Sequence, residues 1–200
     1  MSVRLRPFDV FDAGFSWVVD EPMRRTSHAL ADDGRVWLVD PIDAPEGLER
    51  AQGLGEVVGV LQLLDRHNRD CAQIARRLGV PHARVPDDLP ATPFGVLPVL
   101  RWPRWRESAL WWPQRRVLVV AELVGTAPLY TAGRTPAGIH LFLRVRPPSR
   151  LRGMQPEHLL VGHGEGIHGA AAAAALEQAY ARSLRDLPHV IAALPRTARP

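Results

Sequence analysis

The stretch Leu63-Leu64-Asp65-Arg66-His67-Asn68-Arg69-Asp70-Cys71 decides how this chain is read. It closes a continuous apolar run, Val57 to Leu64, of the kind that marks a strand buried on both faces. Beyond it, Ala72, Ile74, Ala75 and Leu78 give an amphipathic helix its apolar stripe, and Gly79 suits the C-cap. The local order is therefore strand, loop of polar side chains, helix.

Working outward, the first third reads as β-structure. Phe15 to Val19, Ser27 to Ala31 and Val36 to Val39 are short apolar segments, and Asp32-Asp33-Gly34 is a turn signal between the last two. Asp40-Pro41 stops that strand, and a short helix is expected around Pro45 to Gln52, with proline in its first turn. After a Pro-rich connection, Pro81 to Pro93, strands return at Phe94 to Leu100, Ser108 to Trp112 and Val117 to Ala121. Pro113-Gln114-Arg115-Arg116 forms a hairpin turn between the last two. His158 to Val161 is a short strand running into Gly162-His163-Gly164-Glu165-Gly166, and one long helix is expected from Gly169 to Leu187. Its alanine run, Ala170 to Ala175, is a strong helix former, and Pro195 to Pro200 are expected to fray.

The strand, ligand loop and helix resemble the metallo-β-lactamase fold, whose signature is His-x-His-x-Asp-His at a strand end. On that pattern Arg66 and Asn68 stand where the first two histidines belong, Asp70 is retained, and Cys71 takes the place of the last histidine. Val36 to Asp40 resembles the family's early strand ending in aspartate, and Val117 to Glu122 its strand ending in Gly-Asp. Leu160 to Gly164 resembles its late Gly-His-Gly loop. The resemblance implies an α+β, four-layer αββα sandwich forming one domain over residues 1–200, with its core at about 15–187.

It also implies what the site lacks. The first metal position has no imidazole to bind, because its histidines are Arg66 and Asn68 and because Trp102 to Trp112 contains no histidine. The second falls on Asp70, Cys71, Glu122 and His163, a reasonable set for a single zinc ion. A guanidinium is never a ligand, so Arg66 beside Asp70 and Glu122 is expected to supply the charge a metal would, with Asn68 completing the network. The expectation is a metal-free, salt-bridged cleft with a binding or regulatory role or none, and no dinuclear zinc hydrolase. The alternative is a hydrolase using one metal on Asp70, Cys71, Glu122 and His163, with Arg66 holding an anionic group.

Other residues have plainer readings. His67 falls at a position the family leaves variable and is expected to face solvent or a simple hydrogen bond. Cys71, opening a helix, is either an activated thiol or a buried inert one. Gly162 to Gly166 could cradle an anion but matches neither phosphate-binding glycine fingerprint, and no Gly-x-Ser-x-Gly turn supports a serine hydrolase.

Composition bounds the rest. With 46% hydrophobic residues, 200 residues can bury one sizeable core. The 25 basic residues are all arginine and scattered, and a net charge of +4 indicates no dedicated nucleic-acid surface. Arg101, Arg104, Arg106, Arg115 and Arg116 interleaved with Trp102, Trp105, Trp111 and Trp112 could stack bases or an acidic partner, or pair two copies as a homodimer through exposed tryptophans. A small-molecule partner or none fits the cleft. One cysteine excludes an internal disulfide, and no apolar run is long enough to span a bilayer, so a cytoplasmic protein without membrane contact is expected.

Overall fold

The computed structural model of the chain describes residues 3–67 and 69–197. Six strands make the first sheet: β1 (Asp9–Phe11), β2 (Gly14–Val18), β3 (Thr26–Asp32), β4 (Arg35–Val39), β5 (Glu56–Gln62) and β6 (His82–Arg84), in that spatial order. The β3–β4 hairpin pairs Asp32 with Arg35 across Asp33 and Gly34, whose φ values of 48° and 71° are the left-handed pair a two-residue hairpin turn needs. Strands β4, β5 and β6 run parallel, so each connection must cross over the sheet, and helices α1 (Pro45–Gln52) and α2 (Cys71–Leu78) do so.

The second sheet begins with β7 (Gly95–Trp102), β8 (Trp105–Trp112) and β9 (Val117–Val120). An excursion follows, with the small pair β10 (Val124–Gly125) and β11 (Gly138–Ile139) around helix α3 (Pro128–Thr131). The chain then returns as β12 (His158–Val161), parallel to β9, and β13 (Ile167–His168), giving the order β13-β12-β9-β8-β7. Helices α4 (Ala170–Arg182) and α5 (Leu187–Thr197) close the fold.

Period-two alternation along the strands builds the layers. On β4, Val36 and Leu38 face a cluster with Leu48 and Ala51 of α1 and Ile74 and Ala75 of α2, while Trp37 and Val39 face the second sheet. Strand β2 sends Phe15 and Trp17 to the helical side. Between the sheets, Leu30, Leu61, Leu110 and Val119 are buried. On the far side, Ala172, Ala175, Leu176 and Ala179 form one face of α4 against the second sheet, the small alanines letting the helix sit close. The result is helices, sheet, sheet, helices: the four-layer αββα arrangement.

Four expectations are corrected. The helix foreseen from Gly169 to Leu187 breaks at residues 183–186: the buried guanidinium of Arg144 donates to Ser183 O at 3.2 Å, and Leu187 N–H turns back to Leu184 O at 3.2 Å. Of residues 195–200, expected to fray, 195–197 belong to α5, and 198–200 lie outside the described residues. The Pro-rich connection contains β6. The tryptophans are not a surface row: Trp105 and Trp112 are buried, Trp112 edge-on to Phe94, and Trp102 is the exposed one.

Leu110 is fully buried between the sheets. Leu110→Ala is expected to cost about 2–5 kcal/mol through lost transfer energy and the cavity left behind. Urea unfolding checks this as a lower midpoint at unchanged slope.

Candidate functional site

Four chain segments end together at one rim of the sandwich. Strand β4 ends in Asp40, whose φ of 45° turns the backbone left-handed, a conformation aspartate tolerates better than most residues. Its N–H donates to Leu61 O at 2.8 Å, and its buried carboxylate accepts the Leu63 N–H at 3.2 Å. Past β5 the chain crosses to the second sheet, where Leu63 O accepts the Ser108 N–H at 2.9 Å and Asp65 N–H donates to Arg106 O at 3.1 Å. Beside this crossing lies Glu107, fully buried, one carboxyl oxygen accepting the N–H groups of Glu122 (2.9 Å) and Leu123 (3.0 Å). It thereby fixes the end of β9 that carries Glu122. Burial pushes the Glu107 carboxyl up to about 7. The fourth segment starts at Gly162, where a Cβ would meet Ala121 O at 2.1 Å, so only glycine lets the loop approach β9.

At the centre sits His67. Its Nδ1 is 3.5 Å from Asp40 and its Nε2 3.7 Å from Glu122, separations of ion pairs rather than hydrogen bonds. Glu122 also lies 3.3 Å from His140 Nε2. Burial works to raise Glu122, but His140, His67 and His163 outweigh it and hold the carboxyl well below its usual range. His163 Nδ1 lies 2.9 Å from Met23 O and so carries the proton, which leaves Nε2 bare. Burial, with Arg69 and His67 nearby, keeps that imidazole neutral by lowering its pKa to about 4. Its ring stacks on Tyr130.

Arg69 is the internal cation. One guanidinium nitrogen donates to Gly162 O at 2.9 Å, while Nε and Nη1 are buried without a hydrogen-bond partner among the described residues. Burial pushes its pKa down, and the nearby Asp40 pushes it back up. Asp40 itself falls below the usual range: burial would raise it, but His67, Arg69 and the Leu63 N–H prevail. Both ring nitrogens of His67 and Nδ1 of His140 are also buried and unpaired among the described residues.

Solved structures share this architecture over nearly its whole length. The metallo-β-lactamase DIM-1 superposes with a TM-score of 0.54 at 11% identity, covering 92% of this chain and 98% of its own. A diflavin flavoprotein fragment from Nostoc sp. PCC 7120 gives 0.61 at 14% identity, covering 94% and 98%. The metallo-β-lactamase FIM-1 from Pseudomonas aeruginosa, in a mono-zinc form, gives 0.53 at 10% identity, covering 92% and 97%. This chain has the metallo-β-lactamase fold. No protein-family model and no curated relative matches its sequence.

Within that fold the loop after β5 turns different side chains inward from those the signature suggested. His67 and Arg69 enter the site, whereas Arg66 is exposed and its guanidinium lies over Trp105, 4.3 Å from the ring centroid. Asn68 lies outside the described residues. Asp70 turns to the β4–α1 connection and accepts the Asp43 N–H at 2.8 Å. Cys71 packs beside Ile74 and Ala75 in the helical cluster, and burial pushes its thiol up, the opposite of activation. Glu122 and His163 do reach the site, both against His67. The four residues foreseen as zinc ligands are thus not brought together, and no group of three His, Cys, Asp or Glu side chains is disposed to hold a metal ion among the described residues. This set does not fit the ion.

Arg69, Glu107, Tyr130 and His140 escaped the sequence reading, and His67 was read as peripheral. No local pattern marks Arg69, which lies in the irregular loop between β5 and α2. Nothing marks His140, which follows β11 in a region without clear periodicity. His28, on β3, is fully buried against Ser16, with Oγ to Nδ1 at 2.8 Å. Burial lowers its pKa from 6.5 to about 4, so the folded state holds it neutral. Its contribution is therefore present above pH 6.5 and lost as the pH falls towards 4, up to roughly 3 kcal/mol. The stability gap between wild type and His28→Gln should narrow over that interval in chemical denaturation; a gap independent of pH would contradict this.

Proposed function

We propose that this chain is a metallo-β-lactamase-fold protein without the dinuclear metal centre, its pocket held by side-chain charges and acting in binding or regulation rather than hydrolysis. The observation that carries this reading is the buried Arg69 guanidinium beside Asp40 and His163. A permanent cation there does the neutralising that carboxylates otherwise require of a metal, and it repels one. Arg69 lies beside Asp40, and Glu122 stands between His67 and His140. Arg66 over Trp105 sits outside that set.

The second reading, a hydrolase with one metal on Asp70, Cys71, Glu122 and His163, has in its favour the bare Nε2 of His163 in the same site as Glu122.

Elemental analysis of protein purified without chelator separates the two. The expected result is transition metal far below one equivalent and a melting temperature that EDTA does not change. Arg69→Met should then destabilise by about 3–5 kcal/mol, because it leaves buried carboxylates uncompensated. One equivalent of zinc, lost in His140→Ala or His163→Ala and accompanied by hydrolysis of a lactam or ester, would overturn the metal-free reading.

A further inference from the structure

Away from that pocket, a second polar cluster joins the free edges of the two sheets, β1 on one side and β13 on the other. His158 on β12 and His168 on β13 face each other through their Nδ1 atoms at 2.8 Å. Beyond them, His168 Nε2 lies 2.9 Å from Asp9, and His158 Nε2 lies 3.1 Å from Asp12. Phe11 lies against both imidazoles. The other oxygen of Asp9 accepts the Gly166 N–H at 2.9 Å, tying β1 to the glycine-rich loop that carries His163.

Counting protons decides the state. Carboxylates only accept, so each Nε2 must carry a hydrogen. Two nitrogens at 2.8 Å need a hydrogen between them, since two lone pairs would repel. Three protons on four nitrogens make one positive charge between two carboxylates. We propose that His158 and His168 share one proton, forming a proton-dependent clamp that fastens β1 to the Gly162–Gly166 loop.

The clamp fails on both sides of a pH window. Losing the shared proton leaves two lone pairs in contact. Adding another puts two imidazolium rings face to face; burial and the neighbouring His168 oppose it, pushing His158 below its usual value. The other groups facing the pair are few. Asp12 is 3.4 Å from Arg115 of the β8–β9 turn, Glu157 precedes His158, and His28 of β3 acts on Asp9. The same loop is held independently of this proton by Glu165, paired with Arg6 at 2.6 Å and Arg24 at 3.1 Å. Opening is therefore local.

Nitrogen-15 NMR of histidine-labelled protein from about pH 5 to about pH 9 counts the protons directly. The expected result is three protonated imidazole nitrogens of four in mid-range. Protection of the Gly166 amide from exchange should peak there and fall about tenfold at either end, while β3 amides keep theirs. His158→Gln and His168→Gln should each flatten that profile. Two rings titrating independently, or a flat wild-type profile, would overturn the proposal without any variant. So would equimolar zinc displacing the hydrogen between the Nδ1 atoms, since the gap would then belong to a metal.

Discussion

A guanidinium in the interior is the constraint around which this molecule is arranged. Arg69 cannot give up its proton, so burying it requires an anion close by and acceptors for its hydrogens. Asp40 supplies the charge and Gly162 O one acceptor. Asp40 can do so because its left-handed backbone and its bond to the Leu63 N–H fix the carboxylate at the strand end. Gly162 can do so because it lacks a side chain and lies against Ala121. The loop that carries Arg69 also delivers His67 between Asp40 and Glu122. Removing one member leaves its neighbours with charge of one sign in a poorly solvated place.

The layers and the chemistry answer to different properties of the sequence. Strand burial follows from alternating or continuous apolar runs, and those runs survive at 10–14% identity to proteins of the same fold. Site chemistry depends on the identity of single side chains and on which way one loop turns them. In an irregular loop no fixed period tells from sequence which side chains turn inward. That is why Arg66 and Asp70, foreseen in the pocket, lie outside it while His67 and Arg69 lie within.

Much of the fold was legible for the same reason. Helix α1, the end of α2 at Gly79 with its φ of 69°, the Asp33-Gly34 hairpin and strand β12 all follow from local patterns. Strand β6 was hidden because three residues inside a Pro-rich segment carry no period. The break between α4 and α5 was hidden because its cause, Arg144 reaching Ser183 O, comes from a side chain 39 residues away in sequence. His140 and Glu107 were hidden likewise: each matters through Glu122, and only the folded chain brings them to it.

The two histidine clusters show what the fold does with titratable groups at its edges. At the pocket, His67 stands between two carboxylates at ion-pair distance, and both of its nitrogens remain without hydrogen bonds among the described residues. At the β1–β13 edge, His158 and His168 are linked tip to tip, and every nitrogen has a partner. A buried polar group gains most from a partner held at hydrogen-bond distance, which the edge cluster supplies for each ring nitrogen. Apolar layers on both faces of the first sheet hold the strand ends that carry the site in place.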